Sequence, residues 1–345
     1  MPGFVTPRPA WAAARLLVAL AAGGACQLAA QTPPTAPAGE VIGVGNFAHI
    51  VADLDKTLAF YRDAIGLEVT VQQGFAPNDA IAKLGATEGG QSRIAVLDVP
   101  GLDLGVELIE YKDIQRNVQR PRFYDPGAAN LALRMRDIDA VYERVAKFPG
   151  AKTITAAGKP VTIKTPNGEI HAVFVQDPDG FVVELAEVGS VPADAPAGNI
   201  VGGAFEPTVA SSETSIEFYN ELLGFAFPAA AAWNDNQEMA GTAGAPGASF
   251  RQSRTNIPGT AVAFTFIEWK NIDGKILSGR TQDPGTTVLQ LRVRDVTALT
   301  AKLKAAGAHV VTTGGAPVQV APNLKISIVR DPSNVLLELF ERGAQ

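Results

Sequence analysis

Two glutamates recur in matched settings along this chain, Glu107 in VELIE and Glu184 in VELAE. Carboxylates of this kind can move a proton to or from a substrate, or balance the charge of a bound cation. Two asparagines recur in the same way, Asn46 opening NFAHIVADLD and Asn130 opening NLALRMRDID. Arg134 lies four residues beyond Asn130, on the same face of an extended strand. Its planar fork would suit a substrate carboxylate or phosphate, or else it snorkels out at the strand end. His49 is three residues from Asn46, so strand alternation sends it to the opposite face unless a bulge intervenes. His171 has the parity of Val173 and Val175 and should face a helix or an edge, and His309 follows the helix-ending Gly307. Nucleophilic and nucleotide chemistries lack their residues. The only cysteine is Cys26, and there is no Gly-x-Ser-x-Gly elbow, phosphate loop or dinucleotide fingerprint.

The elements that must position these residues come as four related modules. FYRDAIGLE at Phe60 returns as FYNELLGFA at Phe218, an offset of 158 residues, which also carries Asp125-Pro126-Gly127 onto Asp283-Pro284-Gly285. A finer echo inside each copy makes the chain two pairs of modules. Each module reads strand, helix, then further strands. In the first, Asp53 or Asp55 can cap a helix whose stripe is Leu54, Leu58, Tyr61 and Ile65, and Gly66 ends it. The others repeat this with Ser212 and Gly224, with Ile138 to Gly150, and with Val296 to Gly307. DPDG at 177–180 and DPSN at 331–334 read as hairpin turns.

The chain of 345 residues, 46% hydrophobic and 19% charged with net charge −6, suits two globular domains. It has no basic run, so nucleic acid is not an expected partner. Residues 1–30 carry Arg8 and Arg15, no acid and a short apolar run, which reads as a secretory signal peptide cut after Ala30. The run is too short and too rich in Ala and Gly for a membrane span. Cys26 leaves with the leader; lipidation there is the alternative, against which Gly23 argues. The expected location is periplasmic or secreted. A Pro/Ala linker covers 31–41, domain 1 covers 42–188, a second linker 189–199, and domain 2, packed against it, 200–342.

DLDKTLAFYRDAIGLE, ELIEY, DPG with RDID, and VQDPDGFVVEL together resemble the vicinal-oxygen-chelate superfamily of glyoxalase I, bleomycin-resistance proteins and extradiol dioxygenases, twice over. The resemblance implies an α+β fold of two tandem domains, each two paired βαβββ modules curling a sheet into a cup. In metal-using members, ligands come from the first and last strands of both modules, the first-strand ligand seven residues before the helix-opening Asp. Carried onto this chain, copy one offers Asn46, Glu107, Asn130 and Glu184, and copy two only Ala204, Thr265, Val288 and Glu338. Copy two thus reads as a degenerate site. Pairing within each copy is expected, because it alone collects four polar donors in one cup. Amides in place of the usual imidazoles would favour Mg²⁺, Mn²⁺ or Ca²⁺ over zinc or iron. No organic cofactor is implied. The alternative is a metal-free polar floor in which one of the paired carboxylates keeps its proton.

Two functions remain. One is a metal-dependent lyase or isomerase of glyoxalase or epimerase type, with Glu107 or Glu184 moving the proton and Arg134, Phe174 and His49 near the substrate. The other is a small-molecule binding module of the bleomycin-resistance type. Ring-cleaving dioxygenase chemistry is not expected, since Phe174 stands where an acid/base tyrosine would be required.

Overall fold

The computed structural model describes residues 39–343 apart from 166, 167 and 192. The signal peptide and nearly all of the first linker lie outside these residues. Module one comprises β1 (Val41–Val51), α1 (Leu54–Ala59), β2 (Glu68–Ala76), α2 (Asp79–Gly85), β3 (Gln91–Asp98) and β4 (Gly105–Lys112). Module two comprises β5 (Ala129–Met135), α3 (Ile138–Lys147), β6 (Lys152–Thr153), β7 (Val161–Thr165), β8 (Gly168–Gln176) and β9 (Val182–Val188). Module three has β10 (Ile200–Pro207), α4 (Ser212–Glu217), α5 (Gln237–Thr242), β11 (Ser249–Asn256) and β12 (Ala263–Lys270). Module four has β13 (Thr287–Val293), α6 (Val296–Ala305), β14 (Val318–Ala321), β15 (Leu324–Arg330) and β16 (Leu336–Arg342).

The capping chemistry holds. The Asp53 side chain accepts from Lys56 N–H, and Asp137 and Asp295 cap their helices in the same way. In module three the cap is Ser211, one residue earlier than expected. Helices α1 and α4 each run on into a π-helical turn, Phe60–Ile65 and Phe218–Leu223, which ends at Gly66 (φ 98°) and Gly224 (φ 78°). Only glycine takes such values without cost.

Two eight-stranded sheets result, and they overturn the expected pairing. One sheet runs β14-β15-β16-β13-β1-β4-β3-β2 and the other β11-β12-β10-β5-β9-β8-β6, with β7 also paired to β8. Module one is therefore paired with module four, and module two with module three, so neither copy forms a cup by itself. The inner strands join antiparallel, with Ala48 opposite Val288 in one sheet and Ala132 opposite Ala204 in the other. The local connections favour this exchange. Residues 189–199 are held against the end of β5, where the Arg136 side chain donates to the carbonyls of Pro196 (2.7 Å) and Gly198 (3.0 Å). Asn199 Oδ1 accepts from Asp137 N–H at 2.8 Å. Module three thus emerges beside module two. The crossovers 113–128 and 271–286 clasp each other, with Gln119 N–H to Pro284 O at 2.7 Å and Leu277 N–H to Pro126 O at 2.8 Å.

A large apolar core fills the space between the helices and the convex sheet faces, with Phe47, Phe181, Phe205 and Phe264 among its members. The polar residues of interest line the concave faces.

Candidate functional site

The exchange splits the expected four-residue set. Asn46 and Glu107 are in the sheet of modules one and four, and Asn130 and Glu184 in the other. Each pair meets side chains that lie two residues beyond the expected first-strand positions. Gln290 takes the place assigned to Val288, and Glu206 that assigned to Ala204. Both have the right strand parity, which was the available signal for finding them.

In the first cup, strands β4 and β16 flank the central pair β1 and β13. The Asn46 amide donates to Glu107 Oε2 at 3.3 Å, and the Gln290 amide donates to the same oxygen at 2.8 Å. Gln290 Oε1 in turn accepts the Asn46 backbone N–H at 2.8 Å, where β1 bulges between Val44 and Phe47. Two glycines make room. A Cβ on Gly45 would come within 2.8 Å of Gln290 Oε1, and one on Gly105 within 2.8 Å of Asn46 Oδ1. The fourth residue is Glu338, which has no hydrogen-bond partner among the described residues. All four side chains are partly open to solvent.

The two carboxylates differ in proton affinity. Burial raises Glu107, but its two amide donors work against that rise. Burial and the Glu107 charge push Glu338 up to about 8. Glu338 therefore keeps its proton more readily than Glu107, which is how paired acids acquire separate roles. Tyr111, on the same face of β4 as Glu107, is a further polar group of this cup, and its hydroxyl has no partner among the described residues.

The second cup is sealed. Asn130, Glu184, Glu206 and Thr265 are all buried. Asn130 donates to Glu206 at 3.0 Å and to Glu184 at 3.5 Å. Burial and the neighbouring Glu206 charge raise Glu184 well above the carboxylate range. The Arg254 charge works against the burial-driven rise of Glu206. Glu184 therefore holds the proton of the pair. Four rings fill the cup, with Phe123 5.3 Å from Phe174 and 5.8 Å from Trp269, and Phe250 5.3 Å from Trp269. Met239 of α5 closes the cluster. At the matching places the first cup has Thr281 for Phe123, Ile328 for Phe174, Tyr111 for Trp269 and Ser92 for Phe250. Each is smaller, and beside its polar floor the first cup carries an apolar cluster of Ala48, Leu84, Val288, Ile326, Ile328 and Leu336.

The three expected substrate-contacting residues are placed elsewhere. Phe174 is fully buried in the ring cluster. Arg134 donates to the carbonyls of Val188 (2.6 Å) and Ser190 (2.7 Å), tying down the second linker. His49 faces away from the cup, as parity required, and sits with Nε2 3.0 Å from Asp177 Oδ2. Tyr61 also donates to Asp177, at 3.2 Å, and Thr57 to Asp179 at 2.6 Å. These two aspartates raise the His49 pKa against the opposing effect of burial. The group joins module one to the DPDG turn of module two. His171 lies at an edge, Nδ1 2.9 Å from Thr162 Oγ1 and Nε2 3.3 Å from Asp139.

Among the described residues no three His, Cys, Asp or Glu side chains come together as a metal cluster. The donor types of the first cup do match a hard divalent ion. Two carboxylates would supply charge, and two amide oxygens would add neutral donors once both amides turned over from Glu107.

The chain is similar to known proteins. The profile of the Glyoxalase/Bleomycin resistance protein/Dioxygenase superfamily matches residues 43–185 and 205–339. A 2-epi-5-epi-valiolone epimerase from Actinomyces sp is 32% identical over 158 residues, 45% of this chain and 82% of that protein. A point mutant of glyoxalase I from Zea mays superposes with TM-score 0.57 at 17% identity, covering 88% of this chain and 93% of that one. A putative dioxygenase from Bacillus subtilis gives TM-score 0.54 at 15% identity, over 88% and 86%. These two structural likenesses speak to fold alone. With the profile spanning both repeats, the chain belongs to the Glyoxalase/Bleomycin resistance protein/Dioxygenase superfamily.

Proposed function

We propose that the cup of modules one and four is the active site of an isomerase or epimerase that moves a proton on a small carbonyl compound. The observation that carries this reading is the pairing of Glu107, whose charged form two amide donors favour, with Glu338, held as an acid to about pH 8. Glu107 removes a proton from the carbon beside the carbonyl, and the electron pair moves onto the carbonyl oxygen. Glu338, reaching in from the other side of the central strand pair, delivers a proton to carbon. No electrons are gained or lost overall, and the two residues exchange protonation states at each turnover. Similarity to a protein named as an epimerase supports the same class. A divalent ion held by Asn46, Glu107, Gln290 and Glu338 would ionise Glu338 and polarise the substrate carbonyl in its place, so the acid role of Glu338 belongs to the metal-free cup.

A second reading, a binding module without chemistry, is favoured by the amides of Asn46 and Gln290 being turned onto Glu107 rather than into the cup. NMR in D₂O separates the two. The protein, with chelator or with added Mg²⁺, Mn²⁺ or Ca²⁺, is incubated with 2-epi-5-epi-valiolone and other cyclic polyhydroxy ketones. The expected result is loss of the signal of the proton beside the carbonyl. The rate should fall on an alkaline limb near pH 8, set by Glu338, and drop at least about a hundredfold in Glu107→Gln and Glu338→Gln. Calorimetric binding without exchange would establish the binding module instead.

A further inference from the structure

We propose that Tyr111 is a catalytic residue of the first cup, donating its hydroxyl hydrogen to the substrate oxygen that gains charge as the neighbouring carbon loses its proton. This rests on the proton-transfer reading of that cup. Tyr61 and Tyr219 are equally deep in the protein, and each hydroxyl is spent on a carboxylate, Asp177 at 3.2 Å and Asp331 at 3.1 Å. Tyr142 likewise donates to Gly158 O at 2.8 Å. A buried tyrosine hydroxyl ordinarily finds such a partner. Tyr111 is nearly as buried, 6% exposed against 0% for Tyr61 and Tyr219, but its hydroxyl has no hydrogen bond among the described residues.

Its position gives the reason. Tyr111 lies four residues beyond Glu107 on β4, pointing to the same side, with Ser92 opposite on β3. At the matching place in the sealed cup stands Trp269, packed among Phe123 and Phe250. The first cup has Thr281 and Ser92 where those phenyl rings would be, so small polar side chains rather than rings flank Tyr111. Burial and the charges of Glu338 and Glu107 raise its pKa, which keeps the hydroxyl protonated as a donor and makes it a poor base. Such a donor strengthens its bond as the oxygen turns from carbonyl to enolate, and so lowers the barrier rather than only the binding energy.

The test is Tyr111→Phe, which keeps the ring and removes the oxygen. Exchange of the proton beside the carbonyl in D₂O should lose about a hundredfold in kcat while KM changes less than about threefold. Glycolohydroxamate, a planar mimic of the enediolate, should bind the variant at least about tenfold more weakly by calorimetry, with dihydroxyacetone affected less than about twofold. The alkaline limb near pH 8 should stay where it is, since Glu338 sets it. Exchange and mimic binding at the level of the unmodified protein would overturn the role of Tyr111. Equal loss for the mimic and the ketone would do the same, by making Tyr111 a ground-state contact. Absence of exchange in the unmodified protein would sink the proton-transfer reading itself and this inference with it.

Discussion

Glu338 concentrates the electrostatics of the first cup in one side chain. It was legible in the sequence as the Glu of VLLELFE, yet it stood in what looked like a dead site, because its partners Glu107 and Gln290 come from elsewhere in the chain. Its proton affinity has a consequence for stability. The folded state holds the proton to about pH 8, whereas an unfolded glutamate releases it near its ordinary value of 4.5. The contribution to stability is therefore fully present below the unfolded pKa and is lost as pH rises through the folded one. Glu338→Gln, a neutral copy of the protonated acid, removes this dependence. Urea unfolding should find the variant about equal to the unmodified protein near pH 5. At pH 8.5 it should be more stable by on the order of 2 kcal/mol, well below the full shift because the carboxyl is partly open to water. Equal pH profiles for the two proteins would show that Glu338 is ionised in the fold.

At the scale of elements, the two cups share a scaffold but differ in what fills them. The crossovers 113–128 and 271–286 carry the same Arg–Asp clasp, Arg122 with Asp125 and Arg280 with Asp283, each at its shortest 2.7 to 2.8 Å. The residue after the arginine decides the cup: Phe123 enters the ring cluster, while Thr281 bonds the carbonyl of Gly85 at the end of α2. Thr281→Phe should place a ring over the first floor. The expected outcome is loss of glycolohydroxamate binding with a stability cost of about 1–3 kcal/mol from overpacking. Phe123→Ala should leave that binding intact and cost about 3–5 kcal/mol by opening a cavity in the sealed cup. Calorimetry and urea unfolding on both variants check the assignment, which fails if the binding losses are reversed.

For the whole molecule, the exchange of modules makes the two repeats inseparable. Both sheets contain strands from either side of residues 189–199. A protease site placed in that linker should therefore give two fragments, about 42–190 and 195–342, that stay together in native gel filtration and part only in denaturant. Fragments that separated as folded monomers would mean that each repeat closes its own cup. The His49–Asp177 contact adds a buried polar tie between module one and module two, so the two cups also press on each other within a repeat.

What the sequence determined by itself is local or repetitive. The 158-residue echo, the helix caps at Asp53 and Asp137, the left-handed stops at Gly66 and Gly224, and the inward parity of Asn46, Glu107 and Glu184 all depend on neighbours within a few residues. They follow from backbone sterics and strand alternation. The choice of partner does not. The first strands of the four modules are all largely buried, apolar-rich segments, so any two could pair edge to edge with similar ladders, and hydrophobic pattern alone does not rank the pairings. Tertiary structure decided it through the path of 189–199 and the mutual clasp of the crossovers. That decision divided the expected donor set between two sheets and brought Gln290 and Glu338 to Glu107. It also left Tyr111 beside Thr281 and Ser92 while the matching Trp269 was packed against Phe123.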